Sequence, residues 1–164
     1  MTRSRITARS AFAIAALALV PTATLADDKI LEFDTMTPVV APFTGAANPI
    51  RGINGGGVPW QIARGRGELR ANGRLEVEVR GLVIVATGVN PVANFRATVS
   101  CLTVDRSTTP LTVATVNVTT APSPATAQGD ANIEANVSLP TPCVAPIVFV
   151  ANGNTGAWFA ASGH

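Results

Sequence analysis

Residues 130–139, DANIEANVSL, alternate strictly between polar and apolar side chains. Successive side chains of an extended strand point to opposite faces, so Ile133 and its apolar neighbours would be buried while Glu134 would face water. The same two-residue period recurs at 75–80 and at 95–101. Beyond the N-terminal segment, no stretch sustains the spacing of an amphipathic helix, and Gly and Pro recur every few positions. The sequence therefore predicts an all-β protein.

The segment 66–79 predicts a hairpin whose register follows from side-chain direction. A two-residue loop would pair Leu69 with Glu76, which places an apolar and a charged side chain on the same face. A three-residue loop that ends with Gly73 in the left-handed conformation instead pairs Leu69 with Leu75 and keeps the two faces separate. We expect the three-residue loop.

Further strands are predicted at five places: 29–34, 60–64, 111–119, 146–151 and 156–161. In total, about seven or eight short strands at this spacing are typical of an antiparallel β-sandwich, of immunoglobulin-like or related Greek-key type. The segment 37–58, rich in Gly, Pro and Asn, interrupts the series and is expected to be a long, ordered surface loop.

Residues 1–26 have the composition of a cleavable signal peptide. Three arginines and no acidic residue precede ten uninterrupted apolar residues at 11–20, and small residues, Thr24 and Ala26, stand at the expected cleavage positions. A helix of ten residues spans about 15 Å, half of the roughly 30 Å bilayer core, so a membrane anchor is the weaker alternative. We expect cleavage after Ala26 and a single mature domain, 27–164, without a membrane span.

The net charge changes when the signal peptide is removed. The whole chain carries a formal charge of +2, but three of its 12 basic residues lie in the leader, which leaves nine basic against ten acidic residues. Between 51 and 80, arginines alternate with glutamates. This pattern predicts a solvated face of mixed charge rather than a phosphate-binding patch, so nucleic acid is not an expected partner.

The chain contains two cysteines, Cys101 and Cys143. An even pair in an exported protein is expected to form a disulfide, whereas a zinc site would need further thiols or imidazoles. Because Cys101 falls on the apolar side of the strand at 95–101, we expect the disulfide to join the two layers of the sandwich.

The residue types needed for catalysis are scarce. The only histidine, His164, stands at the C-terminus, where a frayed chain cannot hold an imidazole in place. Glu68, Glu76 and Glu78 could serve a glycoside hydrolase, but the general acid of that class needs a raised pKa in a cleft. A calcium site at Asp130 and Glu134 is chemically reasonable but lacks a dense Asp-x-Asp loop. We therefore expect no catalytic residue, no metal site and no cofactor.

The candidate ligand-binding residues are Trp60, Trp158 and Asn54. Trp60 follows the Gly-rich run at 52–57, and Trp158 follows an Asn-Gly-Asn run. A tryptophan at a loop edge beside asparagine side chains can stack a sugar ring, as in lectins. In a chain with only eight aromatic residues, the favoured alternative is that both tryptophans fill the core.

The sequence predicts a secreted or periplasmic, non-catalytic interaction module of the cell envelope or the extracellular space. Long loops over a rigid sheet pair, above all 37–58, would carry its binding surface. Its partner would be an envelope component, a protein or a glycan. A carbohydrate-binding module that uses an exposed Trp60 is the alternative, and a glycoside hydrolase is a weaker one.

Overall fold

The computed structural model describes residues 28–162, and every regular element in this range is a β-strand. The expected signal peptide and His164 lie outside the described residues. In chain order the strands are β1 Lys29–Phe33, β2 Met36–Pro38, β3 Trp60–Gln61, β4 Arg64–Arg70, β5 Arg74–Arg80, β6 Val83–Ile84, β7 Asn94–Asp105, β8 Thr112–Thr119, β9 Ser123–Pro124, β10 Ala131–Asn136, β11 Val144–Asn152 and β12 Trp158–Ser162. The all-β prediction is confirmed. A helix of the length and hydropathy needed to cross a membrane does not occur in this part of the chain.

The strands form two larger sheets and one small pair. Sheet A has the order β1-β4-β5-β10, and sheet B has the order β2-β12-β11-β7-β8, with β9 paired to the start of β7. Strands β3 and β6 form the small pair. All pairings between these strands are antiparallel.

One hydrophobic cluster receives side chains from both larger sheets. Leu69 and Ile133 come from sheet A, and Phe95 comes from sheet B; each is fully buried. Trp60 stacks on Phe159 with ring centroids 3.8 Å apart and an interplanar angle of 18°. Burial of this apolar surface is the main favourable contribution to folding.

The β4–β5 hairpin has the predicted register. Leu69 pairs with Leu75 and Glu68 with Glu76, and Gly73 adopts a φ of +88° in the three-residue loop. The N–H of Gly73 donates to the carbonyl of Arg70 at 2.9 Å. The prediction succeeded because a slip by one residue would have mixed the apolar and charged faces.

The predicted disulfide between Cys101 and Cys143 is confirmed. Its location differs from the expectation, because Cys143 immediately precedes β11 and the next residue, Val144, pairs with Leu102 of β7. The bond therefore fastens the start of β11 to its neighbour in sheet B and does not join strands of two sheets. The loop that it closes, with a sequence separation of 42 residues, is expected to stabilise the fold by about 4 kcal/mol through the entropy of the unfolded chain.

The short strands are the main difference from the predicted set. Eight strands in the described range contain five or more residues, in line with the prediction, but β2, β3, β6 and β9 contain only two or three. The strand expected at 60–64 divides, since β3 ends at Gln61 and β4 begins at Arg64. Two-residue strands have no periodicity that a sequence could reveal.

Two glycines with the same backbone conformation but different surroundings test the packing of the hairpin. Gly73 and Gly88 have φ values of +88° and +69°. A Cβ at Gly73 would overlap the carbonyl oxygen of Val137, whereas nothing lies within 4 Å of a Cβ at Gly88.

Gly88→Ala is expected to lower the free energy of unfolding by about 1–2 kcal/mol for the left-handed conformation alone. Gly73→Ala should cost at least about 2 kcal/mol more, because backbone must move to remove the overlap. Urea unfolding of both variants measures the difference, and equal losses would contradict this description of the loop.

Candidate functional site

Both tryptophans are buried, which agrees with the favoured expectation that they fill the interior and contradicts the alternative of a solvent-exposed Trp60. Trp60 is 3% exposed and Trp158 is 2% exposed. Trp60 packs between Phe159 and Phe95, and Trp158 lies beside Phe149 with ring centroids 5.8 Å apart. The physical reason is the small number of aromatic residues, since these rings are the largest side chains available to fill the interior. Neither ring can stack a sugar in this structure.

The long connection between β2 and β3, residues 39–59, crosses the face of sheet B that points away from the core; we call it the cover loop. Its residue Gly55 forms a bridge with Trp158 of β12, and the N–H of Trp158 donates to the carbonyl of Asn54 at 2.9 Å. The N–H of Trp60 donates to the carbonyl of Val39 at 2.9 Å, which brings the two ends of the loop together. The prediction of a long ordered loop for 37–58 therefore holds, except that Thr37 and Pro38 belong to β2.

Arg51 holds the middle of the cover loop against the sheet. Its guanidinium donates to the carbonyls of Ser100 at 3.1 Å and Ala145 at 2.8 Å, which belong to β7 and β11. The side-chain amide of Asn117, in β8, donates to the carbonyl of Arg51 at 3.0 Å. Arg51 therefore lies apart from the arginines of the mixed-charge face, although the sequence pattern between 51 and 80 grouped it with them.

The cover loop buries polar residues that the alternating pattern placed on an exposed face. Thr98 is 3% exposed and Ser100 is fully buried. The pattern assigned the correct side of the strand but could not reveal that a remote segment lies over that side. Sheet B is therefore covered on both faces along much of β7 and β11.

The cover loop and the sheet together form a groove of about 480 Å³, which we call the outer groove. Its lining includes the exposed Asn54 from the loop, Asn117 and Thr119 from β8, and Thr155 from the β11–β12 turn. Of the three residues predicted for ligand binding, only Asn54 lies at this groove.

Arg96 is the one charged residue that lines the outer groove. Its Nε is buried, and the guanidinium makes no hydrogen bond or ion pair within residues 28–162. The guanidinium lies directly against Gly156, where a Cβ would overlap Nη2. The alternation at 95–101 places Arg96 on the polar side of its strand but predicts no role for it. The signal in the sequence is an arginine between two apolar residues, Phe95 and Ala97, with no acidic residue close by.

Three buried side-chain polar atoms in the described range lack a hydrogen-bond partner, and all lie on this face of sheet B. They are Nε of Arg96, Oγ of Ser100 and Nε1 of Trp158. Arg96 pairs with Ala151, and Ala151 pairs with Trp158, so Arg96 and Trp158 belong to one row across the sheet. Buried polar atoms are nearly always satisfied, so these three atoms require partners that residues 28–162 do not supply.

The solvent face of sheet A carries the predicted mixed charge and forms a second groove of about 570 Å³. Glu78 is paired with Arg66 and, at 2.9 Å, with Arg80. Glu68 accepts a hydrogen bond from Arg70 at 2.8 Å, and Arg74 pairs with Glu76 at 2.6 Å. Arginine side chains thus offset the repulsion between Glu68 and Glu76, which face each other across the hairpin.

Two of these carboxylates, Glu68 and Glu78, have their charged form stabilised by arginines. The hydrogen bond from Arg70 lowers the pKa of Glu68, and the hydrogen bond from Arg66 lowers the pKa of Glu78. A glycosidase general acid requires the opposite shift. This electrostatic environment therefore gives no support to a hydrolytic site on this face.

The two carboxylates considered for calcium, Asp130 and Glu134, have different surroundings. Asp130 accepts a hydrogen bond from the N–H of Gly81 at 2.9 Å and so fixes a turn, while Glu134 is exposed on β10. In the part of the chain that the structure describes, no group of three or more His, Cys, Asp or Glu side chains could hold a metal ion.

Comparisons of the chain with protein-family profiles, with curated proteins and with solved structures each found no match.

The ion pairs of Glu78 predict an acid-sensitive contribution to stability. Because its pKa is lowered in the folded state, this contribution is present above the unfolded pKa of about 4.3 and is lost as the pH falls through the folded value. Glu78→Gln should be less stable than the wild type at pH 6, and the difference should shrink towards pH 3. Urea midpoints at both pH values measure this.

Glu134→Gln is the matched control, because Glu134 makes no ion pair among the residues described. It should change the midpoint little at either pH. A deficit of Glu78→Gln that stays constant down to pH 3 would show that its ion pairs do not supply the effect.

Proposed function

We propose that this protein is an exported, non-catalytic binding module whose ligand occupies the outer groove. The observation that carries the proposal is the guanidinium of Arg96, which lies in a polar groove without a partner from residues 28–162. The side chain of Arg96 is partly exposed, but its Nε is buried without a hydrogen bond, which is unfavourable unless a bound molecule accepts from it. The groove volume also lies within the usual range for small-molecule sites, about 300–1,000 Å³.

The proposed architecture is an antiparallel β-sandwich, with sheets A and B as its layers and a Greek-key or immunoglobulin-like arrangement of strands. The shared hydrophobic cluster supports this arrangement. In such a fold the sheets provide a rigid base and the connections provide the binding surface. Here the cover loop would supply one wall of the site and β7, β8 and the β11–β12 turn the other.

The proposed location is the periplasm or the extracellular space. The composition of residues 1–26 supports export, and the disulfide Cys101–Cys143 agrees with an oxidising compartment. The proposed partner is a component of the cell envelope, a protein or a glycan.

Binding is favoured over catalysis by the residues at the two grooves. The outer groove contains amides, hydroxyls and one guanidinium but no carboxylate, histidine or free thiol to act as a base or nucleophile. The groove on sheet A contains carboxylates, among which Glu68 and Glu78 have pKa values lowered by hydrogen bonds from arginines. A carbohydrate ligand remains compatible with the outer groove, although without a contribution from the ring of Trp60.

Export predicts a specific mature N-terminus. When the full chain is produced in a host with a working secretion pathway, the exported protein should begin at Asp27. Its intact mass should also be two hydrogens below that of the reduced polypeptide, because of the disulfide. Mass spectrometry of the exported fraction tests both, and accumulation of the unprocessed chain in the cytosol would contradict the proposed location.

Blocking the outer groove should abolish binding. The side chain of Asn54 is exposed at the groove, so Asn54→Trp is expected to fill it without disturbing the core. Cosedimentation of the exported protein with envelopes from its own organism should then fall at least about 10-fold, which corresponds to the loss of one good set of contacts.

Asn136→Trp is the matched control, because Asn136 is an exposed asparagine on β10 and outside the outer groove. It should cosediment like the wild type. Equal binding by the wild type and Asn54→Trp would show that the outer groove is not the binding site.

A further inference from the structure

We propose that the outer groove binds a sugar acid, with the guanidinium of Arg96 pairing with the sugar carboxylate. The inference rests on the proposed function, because it names the class of ligand for the same groove. The proposed natural ligand is a glycan that carries uronic acid residues.

The donors of Arg96 indicate the charge of the ligand. Arg96 offers five N–H donors, and nothing in residues 28–162 accepts from them. The arginines Arg66, Arg70, Arg74 and Arg80 of sheet A, by contrast, each pair with a glutamate. The residues lining the outer groove include no Asp or Glu. The missing partner of Arg96 is therefore an anion brought by the ligand.

A single guanidinium in the groove indicates the type of anion. A guanidinium matches a carboxylate in both charge and geometry, since two parallel N–H···O bonds form between the planar groups. A doubly charged phosphate would call for further cations, and the groove lining contains neither a lysine nor a second arginine. A singly charged carboxylate is the anion that one arginine neutralises.

The neutral lining of the outer groove indicates which kind of molecule carries the carboxylate. The remaining polar lining consists of neutral side chains: Asn54, Thr98, Asn117, Thr119 and Thr155. The amide nitrogen of Asn117 donates one hydrogen to the carbonyl of Arg51, which leaves its second N–H as a donor and its oxygen as an acceptor. Amides and hydroxyls suit the many hydroxyl groups of a sugar ring, whereas the apolar lining, mainly Ile53 and alanines, is too small to hold the side chains of an acidic peptide.

The β11–β12 turn holds the guanidinium of Arg96 in place. The guanidinium packs against the backbone of Gly156, which has a φ of +79°, at the end of the β11–β12 turn. That turn is fixed by Asn152, whose Oδ1 accepts from the N–H groups of Asn154 at 2.8 Å and Thr155 at 3.1 Å. A guanidinium held in place before binding loses less conformational entropy when the ligand arrives.

Calorimetric titration of the exported protein tests the proposal with three probes. They are an oligogalacturonate, a neutral galacto-oligosaccharide of the same length, and acetate. The oligogalacturonate should bind at least about 10-fold more tightly than either of the others, because only it combines the carboxylate with the sugar ring.

Arg96→Gln should weaken oligogalacturonate binding by about 10- to 100-fold, the effect of losing a charge-assisted pair. Arg64→Gln is the matched control, because Arg64 is an exposed arginine of β4 outside the outer groove and it removes the same charge. It should leave the affinity within about 2-fold. If Arg96→Gln fails to fold, the preference of the wild type among the three probes decides the question.

Several results would overturn the proposal: no binding of the oligogalacturonate, equal affinity for the neutral oligosaccharide or for acetate, or an unchanged affinity in Arg96→Gln. These outcomes are distinct from failure of the proposed function. If envelope binding remains sensitive to Asn54→Trp while the oligogalacturonate does not bind, the groove is a binding site for a different ligand. If envelope binding is insensitive to Asn54→Trp, the proposed function itself fails.

Discussion

The stack of Trp60 on Phe159 closes the cover loop. Trp60 is the first residue after the loop, and its N–H donates to the carbonyl of Val39, the first residue of the loop. Val39 in turn donates to the carbonyl of Phe159 at 2.8 Å. Both ends of the loop are thereby held at one point on the edge of sheet B. Because the entropy of loop closure grows only slowly with length, the segment between these ends can be long at little additional cost.

The crossing of the cover loop changes what the polar residues of sheet B require. On a solvated face, Thr98 and Ser100 would be satisfied by water, but beneath the loop these buried side chains must find other partners, and so must the buried Nε of the partly exposed Arg96. Arg51 anchors the loop through backbone carbonyls and does not serve these side chains. The three buried polar atoms without a partner in residues 28–162 therefore all lie on one face of sheet B.

The sequence was sufficient for features that depend on local periodicity and insufficient for those that depend on remote contacts. The hairpin register around Gly73 could be derived because adjacent strands must keep their apolar sides together. The Cys101–Cys143 bond could be derived from residue count, but its place within sheet B could not, because strand order is a property of the whole fold. Trp60 and Trp158 are buried, as the favoured alternative expected. Asn54 was among the predicted ligand-binding residues and lines the outer groove, whereas Arg96 was not predicted. The surroundings of Arg96 depend on the cover loop, a remote segment that the periodicity of its strand cannot reveal.

The two polar faces differ in how their charges are balanced, and this difference bears on selectivity. On sheet A each of the acids Glu68, Glu76 and Glu78 has an arginine partner, so an incoming charged group would have to displace an existing ion pair. At the outer groove Arg96 has no such competitor within the described chain. With a formal charge of only +2 on the whole chain, little long-range attraction draws an anion from beyond the Debye length of about 8 Å at physiological salt. Recognition at Arg96 would then depend on direct contact, which makes the fit of the whole ligand to the groove the source of specificity.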